Sequence, residues 1–155
     1  LTLSLDTNDD PDDRWGTPLA DILPVIDIFL PNADEVCRMT HCAALDNAIA
    51  ALPATPPVIV VKRGKRGARV YTEGRATEIA SLNVVPVDTV GAGDSFDAGF
   101  LRAYLAGKDV IACAKAGNIT GALSTQAPVC TEAFLDVTRC ETFLKRHGFF
   151  NLLRT

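Results

Sequence analysis

No apolar run in the chain is long enough to cross a bilayer as a helix, and no signal-peptide pattern is present, which leaves a cytoplasmic setting as the default expectation. The cysteines make no framework. Cys37, Cys42, Cys113, Cys130 and Cys140 are odd in number, and none stands in Cys-x-x-Cys spacing or beside paired histidines. A disulfide scaffold or a zinc site is therefore not expected, and buried or free thiols are. His41, between Cys37 and Cys42, reads as a lone histidine on a helix surface. Positive charge is not concentrated either. The run Lys62-Arg-Gly-Lys-Arg-Gly67 is short, lacks interleaved aromatics and sits in a chain of net charge -4, so nucleic acid is not an expected partner, and neither is a membrane. There are no internal repeats or low-complexity stretches. A Gly-x-Gly-x-x-Gly fingerprint is also missing, which argues against a dinucleotide-binding oxidoreductase domain.

What is present is an ordinary globular composition, with 48% apolar and 22% charged residues over a length of 155, enough for one domain with its own core. Strand and helix patterns alternate. Leu1 to Leu5 reads as a strand, 6–17 as a polar loop with Pro11 and Trp15, Leu19 to Ile26 as a short helix and Asp27 to Leu30 as a second strand. Helices are expected near Ala33 to Met39 and Ala43 to Leu52. The continuous β-branched run at Val58 to Val61 is that of a strand buried on both faces of a parallel sheet. Ala68 to Tyr71 and Ala76 to Ile79, joined across Glu73-Gly74, read as an antiparallel edge hairpin. A mainly helical C-terminal part completes an α/β fold, helices on a mostly parallel sheet, whose ligands bind at the carboxyl ends of the strands.

The most informative segment is Asp88-Thr-Val-Gly-Ala-Gly-Asp-Ser-Phe-Asp-Ala-Gly-Phe100. A short run at Val84 to Val87, interrupted by Pro86, precedes it, and helical spacing of Phe96, Phe100 and Ala103 follows it. Gly91-Ala92-Gly93 is then a strand-to-helix turn whose N–H groups can approach a ligand closely. The helix start adds unpaired N–H groups and the positive end of its dipole, a place that attracts phosphate oxygens. Asp94 falls in the first helical turn, where its carboxylate can take a proton from an attacking hydroxyl. The alternative is a plain turn with Asp94 serving the helix dipole.

The string resembles the second signature of the ribokinase-like (PfkB) carbohydrate kinase family, Asp-Thr-x-Gly-Ala-Gly-Asp-x-Phe-x-x-Gly, at Asp88, Thr89, Gly91, Ala92, Gly93, Asp94, Phe96 and Gly99. The resemblance implies a three-layer Rossmann-like fold and phosphoryl transfer from ATP to a sugar hydroxyl, with Asp94 as base and Gly91, Ala92 and Gly93 as anion hole. It extends in order along the chain. Leu5-Asp-Thr-Asn8 looks like a strand end with an Asp-x-Asn pattern, and Phe29-Leu-Pro-Asn-Ala-Asp-Glu35 looks like the strand leading into an Asn-x-x-Glu motif. Asn32 and Glu35 would then help to hold Mg²⁺, its waters and the phosphates, and a capping box at the same residues is compatible with that. Gly64 and Gly67 keep the spacing of a nucleotide-contacting turn in which Lys62 replaces the usual Thr. Lysine can still meet phosphate as a point charge. Arg63, Lys65 and Arg66 read as a solvated hairpin tip. Asn118 matches a nucleotide-contacting position in the stretch Ala116 to Pro128, where Gly117 and Gly121 are expected to pack closely against the sheet. By the same matching Asp88, Val90, Ser124 and Ala127 would hold a monovalent cation such as K⁺, although Val129-Cys130 stands where the family carries glycines.

The resemblance runs from Leu1 to about Leu144 and covers only the family's C-terminal half. Nothing matches the N-terminal half, with its Gly-Gly signature and lid. The expectation is a piece of a longer kinase, inactive alone, or else a nucleotide-binding or interaction module without catalysis. Asp6, Asn8, Arg14 and Trp15 resemble sugar-kinase patterns more than nucleoside-kinase ones. The lid often sets the oligomeric state in the family, which leaves a homodimer of the full-length protein open.

Overall fold

A computed structural model describes residues 1–7, 10, 12, 16–129 and 131–153. Asn8, Pro11, Arg14, Trp15 and Cys130, singled out above, lie outside the described residues. The chain divides into two compact units. One, the sheet unit, is Leu1–Arg63 with Arg69–Thr77; the other, the helical unit, is Gly64–Ala68 with Glu78–Thr155.

The sheet unit opens with β1 (Ser4–Leu5), α1 (Gly16–Ile22) and β2 (Ile28–Phe29), followed by α2 (Ala33–Thr40), α3 (Leu45–Ala50) and β3 (Val58–Lys62). β1, β2 and β3 pair in parallel, with Leu5 opposite Phe29 and Phe29 opposite Ile59. β4 (Ala68–Thr72) and β5 (Arg75–Ile79) extend the sheet in the order β1-β2-β3-β4-β5. They join through Glu73 (φ 51°) and Gly74 (φ 71°), the left-handed pair that a two-residue hairpin turn requires. The expected edge hairpin is thus present. Ile59, Val60 and Val61 are fully buried, in keeping with their unbroken apolar run. Leu19 and Leu23 close a core over Phe29, Leu52, Ile59 and Val61.

The helical unit is built from α4 (Ala92–Leu105), α5 (Val110–Ser124), α6 (Val137–Arg146) and α7 (Phe149–Leu153). Asp109 caps α5, its carboxylate accepting from Ala112 N at 2.8 Å. α5 buries residues all round its circumference, which explains its nearly unbroken sequence of small and apolar residues. The small ones face α4, not the sheet. A Cβ on Gly117 would stand 2.9 Å from the Phe96 ring, and one on Gly121 would stand 3.1 Å from Ala92 O. The expectation that these glycines pack on the sheet is corrected accordingly.

Two further strand expectations change. β1 is shorter than Leu1 to Leu5, because Leu1 projects fully into solvent. Val84 to Val87 is not a strand: Pro86 has no N–H to give a ladder, Val85 and Val87 are exposed, and Val87 N donates to Thr125 O at 2.7 Å.

Candidate active site

In the sheet unit the parallel register sets the carboxyl ends of β1, β2 and β3 side by side, bringing Asp6, Asn32 and Lys62 to one edge. Asn32 caps α2 through a reciprocal box. Its Oδ1 accepts from Glu35 N at 2.8 Å, while Glu35 Oε2 accepts from Asn32 N at 3.0 Å. Thr7 Oγ1 donates to that same Oε2 at 2.8 Å, so a buried carboxylate is held from two elements. The capping expectation is therefore met. It also orients both side chains. With Oδ1 engaged, the Asn32 amide is left with its NH₂ donors, which suit a phosphate oxygen or a metal-bound water better than a bare cation. Glu35 Oε1 takes no hydrogen bond from any described residue. One hard carboxylate oxygen of this kind fits Mg²⁺, which keeps most of its waters and needs few protein ligands. Among the described residues no cluster of His, Cys, Asp and Glu forms an all-protein metal cage.

Lys62 Nζ lies 2.8 Å from Asp6 Oδ1 with its side chain 11% exposed. The lysine at the expected Thr position thus answers a carboxylate at the end of β1. The spacing of motifs along the sequence carries no signal for that pairing, which follows from the strand register. Thr7 was missed for the same reason.

In the helical unit the glycine turn takes the conformation its sequence demands. Gly91 has φ 73° and forms the N-cap of α4 with no side chain capping it. Ser95 N closes the first helical bond to Gly91 O at 3.0 Å, and Ala92 N turns back to Thr89 O at 3.2 Å. The N–H groups of Gly93 and Asp94 stay outside the helical ladder, at the positive end of the helix. Ala92 N, counted in the anion hole from the sequence, is already engaged in the turn. Asp94 is exposed in that first turn, and no described residue hydrogen-bonds its carboxylate.

Asp88 lies behind the turn. Its Oδ1 accepts from Val90 N at 3.0 Å and its Oδ2 from Val129 N at 3.2 Å. Hydrogen bonds from Val90, Val129 and Thr89 hold its carboxyl below the usual carboxylate range, against a smaller opposing effect of burial. The segment before the turn is laced to the loop after α5. Gln126 Nε2 donates to Val85 O at 3.3 Å, and Arg139 Nη2 to Gln126 O at 2.9 Å. Ser124 is buried with its hydroxyl on Gly121 O, and Ala127 is buried beside it. Val129 adopts φ 62°, the left-handed conformation that glycine holds without strain.

Gly64 and Gly67 bound a 3-10 turn, with Gly67 N on Gly64 O at 2.9 Å and Ser81 Oγ on Lys65 O at 2.6 Å. Gly67 (φ 82°) lies flat against the chain after β5, where a Cβ would meet Ile79 O and would come within 2.6 Å of Ser81 N. Lys65 and Arg66 are exposed, as a hairpin tip would be. Asn118, 9% exposed, donates through Nδ2 to Ala80 O at 3.0 Å and Ile79 O at 3.3 Å. It lines a cavity of ≈ 310 Å³ together with Ala80, Leu82, Lys115, Ile119 and His147. Burial, and to a lesser degree Arg146, push the His147 imidazole below its usual pKa, and its ring lies 4.4 Å from that of Phe143. His41 is exposed at the C-cap of α2, and Cys37, Cys42, Cys113 and Cys140 are free thiols.

Residues 7–136 match the model of the pfkB family carbohydrate kinases. An uncharacterized sugar kinase of Archaeoglobus fulgidus is 35% identical over 101 residues, which are 65% of this chain and 40% of that protein. A nucleoside kinase of Methanothermobacter thermautotrophicus is 38% identical over 95 residues, covering 59% of this chain and 29% of its own length. Among solved structures, a protein assigned as ribokinase II from E. coli, in complex with ATP and Mg²⁺, superposes with a TM-score of 0.78 at 28% identity, over 94% of this chain and 49% of that one. The chain therefore spans about half the length of such relatives or less.

Proposed function

The chain belongs to the pfkB family of carbohydrate kinases, and from that premise we propose that it carries the nucleotide-binding and phosphoryl-transfer half of an ATP-dependent kinase whose acceptor is a sugar hydroxyl. The observation that carries this reading is the start of α4: a left-handed glycine, no side-chain cap, and N–H groups of Gly93 and Asp94 outside the helical ladder beside an exposed carboxylate. Asp94 takes the proton of the acceptor hydroxyl as its oxygen attacks the γ-phosphorus. The negative charge carried by the transferred group is met by the amides of the Gly91, Ala92, Gly93 turn, with those of Gly93 and Asp94 foremost. Such an amide cradle costs no reorganisation, since Gly91 and the Ser95 bond fix it beforehand.

Asn32, through its NH₂, and Glu35, through Oε1, hold the Mg²⁺ and phosphate end of the donor, where the ion when bound would neutralise phosphate charge. Lys62, paired with Asp6 at the end of β3, brings a positive charge to the phosphate end of the donor. Gly64 and Gly67 shape the turn beside the nucleotide, and the cavity at Asn118 takes its base. A monovalent cation, K⁺ foremost, would be held by the carboxylate of Asp88 with the carbonyls of Val90, Ser124 and Ala127, in a loop where Val129 takes the positive φ that glycine adopts readily.

In the full-length protein Asp94→Asn should cut turnover by about 10²–10⁴ while MgATP affinity, read by calorimetry, stays unchanged. Wild-type turnover in that variant removes Asp94 as the base. A second reading is a nucleotide-binding module without turnover. Titration with MgATP and a phosphoryl-transfer assay on the same sample separate the two.

A further inference from the structure

Apart from the phosphoryl-transfer reading, we propose that Cys37 and Cys42 form a dithiol site that exchanges with small-molecule disulfides and closes into an internal disulfide at the end of α2. The turn there is built for the pair.

α2 ends in a Schellman cap, in which His41 takes the left-handed conformation (φ 54°), its N–H donates to Arg38 O at 3.1 Å, and Cys42 N donates back to Cys37 O at 3.0 Å. Cys37 and Cys42 thereby occupy the two positions whose side chains this cap commonly brings into contact. With that hydrogen bond in place, standard backbone dimensions hold the two Cα atoms to about 7 Å apart at most, and any bend at the carbonyl oxygen shortens the span. Disulfides need Cα separations of about 4.4–6.8 Å. The sulfurs are also close enough to feel each other. Burial first, then Asp34 and then the Cys42 thiol push the Cys37 thiol up, which puts the two groups within electrostatic reach.

Both thiols are free and partly exposed, so an oxidant can meet them. Cys42 Sγ donates to Thr40 O at 3.4 Å, a weak bond that oxidation gives up at little cost. Cys113, by contrast, is fully buried. Among the described residues no group of three His, Cys, Asp or Glu side chains could hold a metal ion, so the pair is suited to thiol chemistry.

In the exchange, the thiolate of one cysteine attacks a sulfur of an external disulfide RSSR, forming a mixed disulfide and expelling RS⁻. The other thiolate then attacks the protein sulfur of that mixed disulfide and expels the second RS⁻. The cysteine pair loses two electrons, the external disulfide gains them, and the two thiol protons end on the two leaving groups.

The test equilibrates the chain with buffers of reduced and oxidised glutathione, quenches by alkylation and reads the tryptic peptides by mass. Arg38 lies between the cysteines, so cleavage after it shows a Cys37–Cys42 disulfide as two joined peptides. The equilibrium constant for that disulfide should be about tenfold or more higher in the folded chain than in urea, because the cap holds the thiols at a high effective concentration. Cys42→Ser should remove the joined peptides and leave Cys37 as a mixed disulfide with glutathione. A constant that folding does not raise overturns the proposal, since nearness in sequence would then account for the reaction. So does a Cys37 that stays fully alkylated in Cys42→Ser, or a wild-type chain in which either cysteine joins mainly to Cys113, Cys130 or Cys140.

Discussion

Val129 holds φ at 62°, a region that costs an L-residue, and a β-branched one most of all, some stability. Its N–H is committed there to Asp88, so the loop pays for the contact with strain. Val129→Gly should raise stability by about 1 kcal/mol, relief of strain exceeding the entropy that glycine adds to the unfolded chain, as urea unfolding would show. Asp88 adds a pH dependence. Its carboxyl is lowered from the ordinary 3.8, so its contribution is present above that value and is lost as pH falls through the lower folded value. Asp88→Asn should therefore melt below wild type at neutral pH, with the gap closing in strong acid. Gly64 and Gly67 differ in kind despite equal roles in the motif. At Gly64 a Cβ meets open space, whereas at Gly67 it meets the backbone of Ile79 and Ser81. Gly64→Ala should cost about 1 kcal/mol for its positive φ alone, and Gly67→Ala clearly more, compared in the same unfolding assay.

Among the elements, the N-terminal cap of α2 matters beyond its helix, because the same hydrogen bonds orient Asn32 and Glu35. Asn32→Ala should cost about 1 kcal/mol of stability and weaken Mg²⁺-dependent nucleotide binding besides. Asp109→Ala, at the cap of α5, should cost a similar amount, about 1 kcal/mol, with binding untouched. That contrast, read by melting and calorimetry together, separates a cap that also serves ligand from one that serves only its helix. The elements also show where sequence patterns suffice. The run Val58 to Val61, the hairpin turn at Glu73-Gly74 and the start of α4 were legible because each is decided within a few residues by burial, left-handed φ or helix periodicity. Val84 to Val87 misled because β-branching resembles a strand, while Pro86 and the bond from Val87 N to Thr125 O decide otherwise. The pairing of Lys62 with Asp6, the third hydrogen bond on Glu35 and the partners of Gly117 depend on register and packing between distant segments, which spacing along the chain does not encode.

For the molecule as a whole, a ligand that binds only the folded chain raises its melting point by mass action. Saturating MgATP, at about 100 times its dissociation constant, should add about 2.7 kcal/mol, and no shift in a melting scan would contradict the nucleotide-binding reading. Within the helical unit, the carboxylate of Asp88 holds both Val90 at the turn before α4 and Val129 after α5, the latter 41 residues beyond Asp88 itself. It works as the clasp of a loop that contains both helices. The amides at its two ends share one acceptor group, so neither can be released without loosening the hold on the other. Hydrogen exchange at Val90 and Val129 should consequently report a single opening event, with one free energy and one response to ligand, although the residues lie on separate loops.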